Sequence, residues 1–300
     1  MEKQGSLACV GLGMTLGAHL GPRSRNHIEQ ADVVFVAVSD PLVELWVQEM
    51  HPDVRSLQPY YREGKPRTET YREMVEAMLA EVRAGRRVCG AFYGHPGVFA
   101  QAPHRAIAQA RREGYPALME PGVSAEDCLY ADLGIDPGEL GCQHYEASQL
   151  MFYRRRLDTS AYLVVWQAGL AGDRSLARFS TPAAYRRLLV DLLAEDYPLD
   201  HECIVYEAPT LPIHVPRIER FALSALADAH TPASRNRSSG RRRAPPRFPP
   251  RQPRDPARRQ RQGPAGRRRL RYRRLVDAAG SGRARLLLHA RRSAGHAHVR

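Results

Sequence analysis

The feature that most constrains the fold is an apolar run over residues 33–38, which ends at Ser39-Asp40-Pro41. Because this run is apolar on both faces, it fits a central strand of a parallel sheet. Shorter apolar runs predict further strands at residues 7–10, 88–92 and 117–120. They alternate with helix-like segments to about residue 120, so the first half is predicted to be α/β. Open parallel sheets bind ligands at the carboxyl ends of their strands.

A compact turn, Ala91-Phe92-Tyr93-Gly94-His95-Pro96-Gly97-Val98-Phe99, follows one of these runs and precedes a helix predicted over residues 103–112. Two glycines flanking a proline let the backbone turn sharply, and they remove the Cβ atoms that would keep a ligand at a distance. The turn is therefore a candidate ligand cradle. An ordinary strand-to-helix connection is the alternative interpretation.

One further glycine turn and one helix start are candidates for the same site. Gly11-Leu12-Gly13 follows the first strand, but the third glycine of a dinucleotide fingerprint is displaced, so the signal for NAD is weak. Ser124 and Asp127 have the spacing of a capped helix start, where backbone N–H groups favour an anionic ligand. A purely structural cap is the alternative.

A helix is predicted from Tyr71 onward, because apolar residues recur at helical spacing as far as Val82. Tyr71 lies in its first turn, Arg67 just before it and Tyr61 in the loop that leads in. Two phenols and a guanidinium can converge there. The alternative is a tyrosine on the core face and an arginine on the surface.

A second α/β lobe is predicted after residue 145. Its expected strands cover residues 162–167 and 201–206, and its expected helices cover residues 181–195 and 215–228. A ligand cleft between the two lobes follows from this organisation.

The net charge of +13 conceals two unlike parts of the chain. Residues 1–230 hold 23 basic and 30 acidic residues, whereas residues 231–300 hold 22 arginines and two acids. The body is thus mildly acidic, and we expect no nucleic-acid partner for it. For the tail, a basic arm that binds nucleic acid is the alternative to a segment without a core.

Other classes of protein are disfavoured by what the sequence lacks. It has no apolar run long enough for a membrane span and no signal-peptide pattern, so a cytoplasmic protein is predicted. The five cysteines lie far apart without metal-ligand spacing. We therefore predict reduced thiols, with neither a disulfide nor a metal site.

The glycine turns, Pro121-Gly122-Val123-Ser124, Ala131-Asp132-Leu133-Gly134 and Pro209-Thr210 together resemble the tetrapyrrole methylase (class III S-adenosylmethionine-dependent methyltransferase) family over residues 6–233. His95 preceded by Tyr93, with Tyr61, Arg67 and Tyr71, resembles its borosin branch, which methylates backbone amides of ribosomally made peptides. One departure is Gln58, where that branch has a tyrosine.

This resemblance implies a two-lobed fold with S-adenosylmethionine in the cleft between the lobes. It implies donor-binding residues at Gly11, Tyr93, Gly94, His95, Pro96, Gly97, Val98, Phe99, Ser124, Ala125, Gln167 and Thr210. It also implies that Tyr71 takes part in deprotonating the amide, that Arg67 tunes or orients Tyr71, and that Tyr61 bonds to the substrate amide. The implied partners are a peptide encoded nearby and a second copy of the chain.

Three alternatives to peptide methylation stay open: methylation of a tetrapyrrole or other small molecule, a non-catalytic truncated homologue, and an RNA-binding protein that uses the tail. The expected boundaries are an N-lobe over residues 1–120, a C-lobe over residues 121–234 and a tail over residues 235–300. The tail is rich in Arg, Pro and Gly, is expected to be disordered, and reads like a GC-rich gene translated out of frame.

Overall fold

Five parallel strands form the first sheet in the order β3-β2-β4-β1-β5. The computed structural model describes residues 4–38, 40–153, 155–175, 177–178 and 180–228, and the backbone of residues 270–278 and 284–292. The strands of the first sheet are β1 Ser6–Gly11, β2 Val33–Ala37, β3 Val54–Ser56, β4 Arg87–Phe92 and β5 Ala117–Glu120. Four helices connect them: α1 Pro22–Glu29, α2 Pro41–Gln48, α3 Arg67–Arg83 and α4 Gln101–Arg112.

Helices cover both faces of this sheet, as a parallel sheet requires. On one face α3 buries Met74, Met78 and Leu79 at helical spacing. On the other face α1 and α2 bury Ile28 and Val47. The carboxyl ends of β1, β2, β4 and β5 therefore point to one shared edge.

The second sheet has the order β6-β7-β10-β11-β8-β9. Its strands are β6 Cys142–Glu146, β7 Tyr162–Trp166, β8 Glu202–Glu207, β9 Arg217–Ala222, β10 Leu270–Ala278 and β11 Ala284–Arg292. The helices of this half are α5 Ala125–Leu133, α6 Pro137–Leu140, α7 Ala147–Tyr153 and α8 Ala183–Ala194. The predicted two-lobed α/β architecture is confirmed. Within the described part of the chain, no helix combines the length and the apolarity that crossing a membrane would need.

The helix predicted over residues 215–228 is wrong. The chain there forms strand β9, followed by a short 3-10 turn at Leu223–Ala227. β9 pairs antiparallel with β8 along its whole length, from Glu202 opposite Ala222 to Glu207 opposite Arg217. This pairing satisfies the backbone of β9 as a helix would have done, and local sequence preference did not reveal it.

The expectation of a tail without regular structure does not hold for β10 and β11. The two strands pair with each other, and β11 also pairs with β7 and β8. The sequence signal for β11 is the short apolar run at residues 286–288, which was not predicted as a strand. This run lies opposite residues 163–165 of β7. The expectations for residues 229–269, 279–283 and 293–300 lie outside the described residues.

Candidate active site

Three loops that follow β1, β4 and β5 touch through glycine backbone at the shared edge of the first sheet. A Cβ atom added to Gly122 would lie 2.3 Å from the carbonyl oxygen of Gly94, and one added to Gly11 would lie 2.6 Å from the Cα of Gly122. Gly13 and Gly94 exchange two backbone hydrogen bonds of 3.2 and 2.8 Å. These contacts leave no room for any larger residue at Gly11 or Gly122.

The glycine turn, residues 93–99, is stabilised by hydrogen bonds between its own residues. His95 Nδ1 accepts a hydrogen bond of 2.8 Å from the Gly97 N–H, and the Val98 N–H donates to the His95 carbonyl at 3.2 Å. Pro96 lies between these bonded residues. A Cβ at Gly97 would lie 2.9 Å from Met119 Sδ, so this side of Gly97 faces protein atoms and not the open ligand space that the sequence predicted.

A cleft of about 380 Å³ opens beside the glycine turn and is lined by both lobes. Five of the predicted site residues line it: Arg67, Tyr71, Gly97, Phe99 and Gln167. Its second-lobe wall also includes Glu146, Ser148 and Asp173, which the sequence analysis did not single out. A volume of this size is in the range of about 300–1,000 Å³ that is usual for small-molecule sites.

Phe99 and Gln167, which face this cleft from different lobes, have left-handed backbones with φ of 49° and 63°. They are the two non-glycine residues with positive φ in the described part of the chain. Such conformations cost energy and persist where the surrounding structure enforces them, often at ligand sites. The backbone therefore marks the same cleft as the predicted residues do.

Arg67 is the first residue of α3 and not the residue before the helix, because the helix begins four residues earlier than predicted. Its guanidinium donates a 2.8 Å hydrogen bond to the Arg178 carbonyl of the second lobe. A second link lies close by, a 3.0 Å bond from the Gly64 N–H to the Ala177 carbonyl. The start of α3 is thus fixed against the opposite wall of the cleft.

Tyr61 and Tyr71 pack edge to face, with ring centroids 6.3 Å apart. Burial, together with the neighbouring Tyr71, raises the pKa of Tyr61. Burial also raises the pKa of Tyr71, although the positive charge of Arg67 opposes this shift. The family resemblance implied that Arg67 tunes or orients Tyr71. Its positive charge does favour the Tyr71 phenolate, but burial outweighs this effect.

Tyr93 and Thr210 lie at a separate junction between the lobes, around a small cavity that also includes Asp40. The Thr210 hydroxyl donates to Asp40 Oδ2 at 3.3 Å, and the Leu16 N–H donates to the Thr210 carbonyl at 2.9 Å. Asp40 was not among the predicted site residues. Its position after the most apolar strand was the signal that could have identified it.

Ser124 is the N-cap of α5 and its polar atoms are engaged in the cap. Its hydroxyl accepts from the N–H groups of Glu126 and Asp127, and its own N–H and O–H donate to the Asp127 carboxylate at 2.6 Å. Ser124 and Ala125 are both buried. Ser124 therefore acts as a structural helix cap, the alternative that the sequence left open. Its main-chain N–H is already hydrogen-bonded to Asp127.

A larger cavity, of about 650 Å³, lies elsewhere, at the amino ends of β1, β4 and β5. Parallel sheets bind ligands at the opposite ends of their strands, so this cavity is not the candidate site. Among the described residues, no group of three His, Cys, Asp or Glu side chains is arranged to hold a metal ion.

Comparison with known proteins agrees with this geometry. The family model for tetrapyrrole (corrin/porphyrin) methylases matches residues 6–226. In solved structures, the chain resembles uroporphyrin-III-C-methyltransferase from Thermus thermophilus, with a TM-score of 0.52 and 20% identity over 77% of this chain and 90% of that one. It also resembles cobalt precorrin-4 methyltransferase, with a TM-score of 0.52 and 18% identity over 75% and 88% of the two chains. These likenesses concern the fold.

Closer relatives are named as methyltransferases joined to peptide precursors. The chain is 44% identical over 226 residues to a methyltransferase/ribosomally synthesized type I borosin cyclic peptide precursor of Coprinopsis marcescibilis. It is 42% identical to a gymnopeptides precursor of Gymnopus fusipes and 40% identical to an omphalotin A precursor of Omphalotus olearius. The matches cover 75–76% of this chain but 58%, 54% and 54% of these relatives. The chain thus spans a little over half the length of the relatives it matches.

Proposed function

The chain belongs to the tetrapyrrole (corrin/porphyrin) methylase family, and from this premise we propose that it transfers methyl groups from S-adenosylmethionine to backbone amide nitrogens of a ribosomally made peptide. The relatives named as borosin and other cyclic peptide precursors support this substrate class. The observation that carries the proposal is the placement of Tyr71 and Arg67 in one cleft with the glycine turn.

The residues at the edge of the first sheet fit a bulky, charged donor. Gly11, Gly94 and Gly122 bring backbone close together, and the cleft beside them has space for a small molecule. We propose that the glycine turn, Gln167 and the Tyr93–Thr210 junction hold the donor. Ser124 and Ala125 contribute by fixing the start of α5.

Bound S-adenosylmethionine supplies a methyl group on a positively charged sulfur, and the carbon–sulfur bond breaks with its electron pair left on sulfur as the new carbon–nitrogen bond forms. A peptide nitrogen is a poor nucleophile because its lone pair is delocalised into the carbonyl group. Its proton must be taken up, and the negative charge that develops on the amide oxygen must be stabilised.

Tyr71 is the better proton acceptor of the two tyrosines. Burial and the neighbouring Tyr71 and Tyr93 raise the pKa of Tyr61, and the positive charge of Arg67 is the smallest influence on it. The positive charge of Arg67 opposes the effect of burial most strongly at Tyr71. We therefore assign proton uptake to Tyr71, orientation and charge to Arg67, and hydrogen bonding to the substrate amide to Tyr61.

The test uses a peptide encoded beside this gene, incubated with the protein and S-adenosylmethionine. Each transfer adds about 14 Da to a backbone nitrogen. Tyr71→Phe should slow transfer by about 100-fold, because it removes the phenol and keeps the ring. Arg67→Lys should also slow transfer, because the planar fork that bonds to the Arg178 carbonyl of the opposite lobe is lost. Donor affinity, measured by calorimetry, should change little in either variant.

Tyr115→Phe is the matched control, because Tyr115 lines the cavity at the opposite end of the first sheet. If all three variants methylate the peptide at the rate of the unaltered protein, Tyr71 and Arg67 have only a structural role. Methylation of a tetrapyrrole and of no neighbouring peptide would remove the peptide assignment and retain the methyltransferase. On family resemblance alone, the proposal also includes assembly as a homodimer and a cytoplasmic location.

A further inference from the structure

Trp166, the last residue of β7, connects the second lobe to the glycine turn. Its ring stacks on Phe99, with centroids 4.6 Å apart and planes inclined by 30°. Gln167 follows it directly. Trp166 therefore contacts one of the two left-handed residues of the cleft and is covalently joined to the other. Any displacement of the Trp166 ring would therefore also shift Phe99 and Gln167.

The Trp166 ring is held by His144 on the neighbouring strand β6. The indole N–H donates a 3.0 Å hydrogen bond to His144 Nδ1, and the two rings are stacked with centroids 5.8 Å apart. Only 4% of Trp166 is exposed. A buried indole N–H that loses its acceptor pays its full cost of desolvation, so this bond fixes the orientation of the ring.

Because His144 Nδ1 accepts this hydrogen bond, the proton of the neutral imidazole lies on Nε2. Nε2 lies close to Tyr130 Oη at 2.9 Å and Glu126 Oε1 at 3.4 Å, both from α5, and to Cys142 Sγ at 3.1 Å on its own strand. Tyr130 Oη in turn donates to Glu126 at 2.8 Å. The surroundings thus select one tautomer, the one that leaves Nδ1 free to accept.

We propose that His144 is a positioning residue for donor binding: through Trp166 it fixes the wall on which Phe99 rests, and so sets the affinity of the cleft for S-adenosylmethionine. The inference rests on the proposed function. An imidazolium carries a proton on both nitrogens and cannot accept from Trp166. The Trp166 bond therefore requires that Nδ1 of His144 carries no proton.

The first test needs no donor. The sequence contains two tryptophans, so Trp46→Phe makes Trp166 the sole reporter. Adding His144→Leu to this reference protein should move the emission to longer wavelength and increase quenching by acrylamide, because the indole is no longer held. Unchanged emission overturns the link between His144 and Trp166. This result is independent of whether any protein binds the donor, so it separates failure of the link from failure of the proposed function.

The second test is a double-mutant cycle on donor affinity, measured by calorimetry. His144→Leu alone should weaken binding about tenfold, the effect of removing one buried hydrogen bond. Trp166→Phe keeps a ring against Phe99 but has no N–H, so His144→Leu in this background should change affinity by less than about twofold. An equal loss in both backgrounds, or no loss in either, overturns the proposal.

His144→Gln provides the rescue, because its amide oxygen can accept from Trp166 but does not titrate. This variant should bind the donor with the affinity of the unaltered protein, whereas His144→Leu should not. It also carries the test if the leucine variant does not fold. A His144→Gln variant that binds the donor about tenfold more weakly than the unaltered protein would overturn the role of His144 as the acceptor.

Discussion

Tyr61 and Tyr71 are the same type of residue and are both half-buried, yet their environments give them different roles. The difference comes from Arg67 at the start of α3, because its positive charge is the strongest influence that lowers the pKa of Tyr71 and the weakest of those that act on Tyr61. Helical spacing predicts that Arg67 and Tyr71 share one face, since they are four residues apart. It does not predict the bond to Arg178, which joins residues 111 apart, because only the packing of the two lobes brings these residues together.

The raised pKa of Tyr71 has a testable consequence for the rate of methylation. If transfer requires the Tyr71 phenolate, the active fraction rises about tenfold per pH unit for as long as the pH stays below that raised pKa. We expect the single-turnover rate with saturating donor and peptide to climb continuously from pH 7 to pH 10. Tyr71→Phe should lose this slope, and Tyr115→Phe should keep it. A flat profile in the unaltered protein would contradict proton uptake by Tyr71.

At the scale of elements, the strands of the first sheet were the easiest to predict. Residues of β2 and β4 are buried on both faces, so an unbroken apolar run in the sequence corresponds directly to a central strand. The strand β9 was predicted as a helix because its side chains are mostly exposed or half-buried, and its sequence carries little apolar pattern. The close approach of Gly11, Gly94 and Gly122, here called the glycine crossing, could not be predicted from the sequence. Each of the three glycines nevertheless lies in a turn that was identified from the sequence.

That crossing predicts a strong position dependence for Gly→Ala substitutions. Gly122→Ala would place a methyl group 2.3 Å from the Gly94 carbonyl, against backbone that cannot rotate away. We expect it to lower the free energy of unfolding by about 2 kcal/mol or more and to weaken donor binding. Gly21→Ala is the control, since a Cβ there meets nothing within 4 Å. Denaturant melts that show equal stability for both variants would contradict the close approach of the three loops.

At the scale of the whole molecule, hydrogen bonds join the two lobes on either side of the site. Arg67 and Gly64 reach the loop around Arg178 on one side, and Thr15 and Leu16 reach Pro209 and Thr210 on the other. The sequence predicted a cleft between lobes, because both halves alternate strands and helices. It could not predict these links, because none of them has a local pattern.

The second sheet gives the last prediction, which concerns the tail. β7 and β8 place alternate residues in the cores on both faces of this sheet, and in the described structure β11 pairs with both of them. Ending the chain after Asp228 would leave these two strands with unpaired edges in the middle of the lobe. We expect this truncation to lower the melting temperature by about 5 °C or more, the effect of losing a few kcal/mol in a domain of this size. Trypsin should then cleave faster between residues 155 and 228. Ending the chain after Arg292 is the matched control, because it removes eight residues and keeps β10 and β11. Equal melting temperatures and equal cleavage in the two truncated proteins would show that the tail adds nothing to the second sheet, as its composition had suggested.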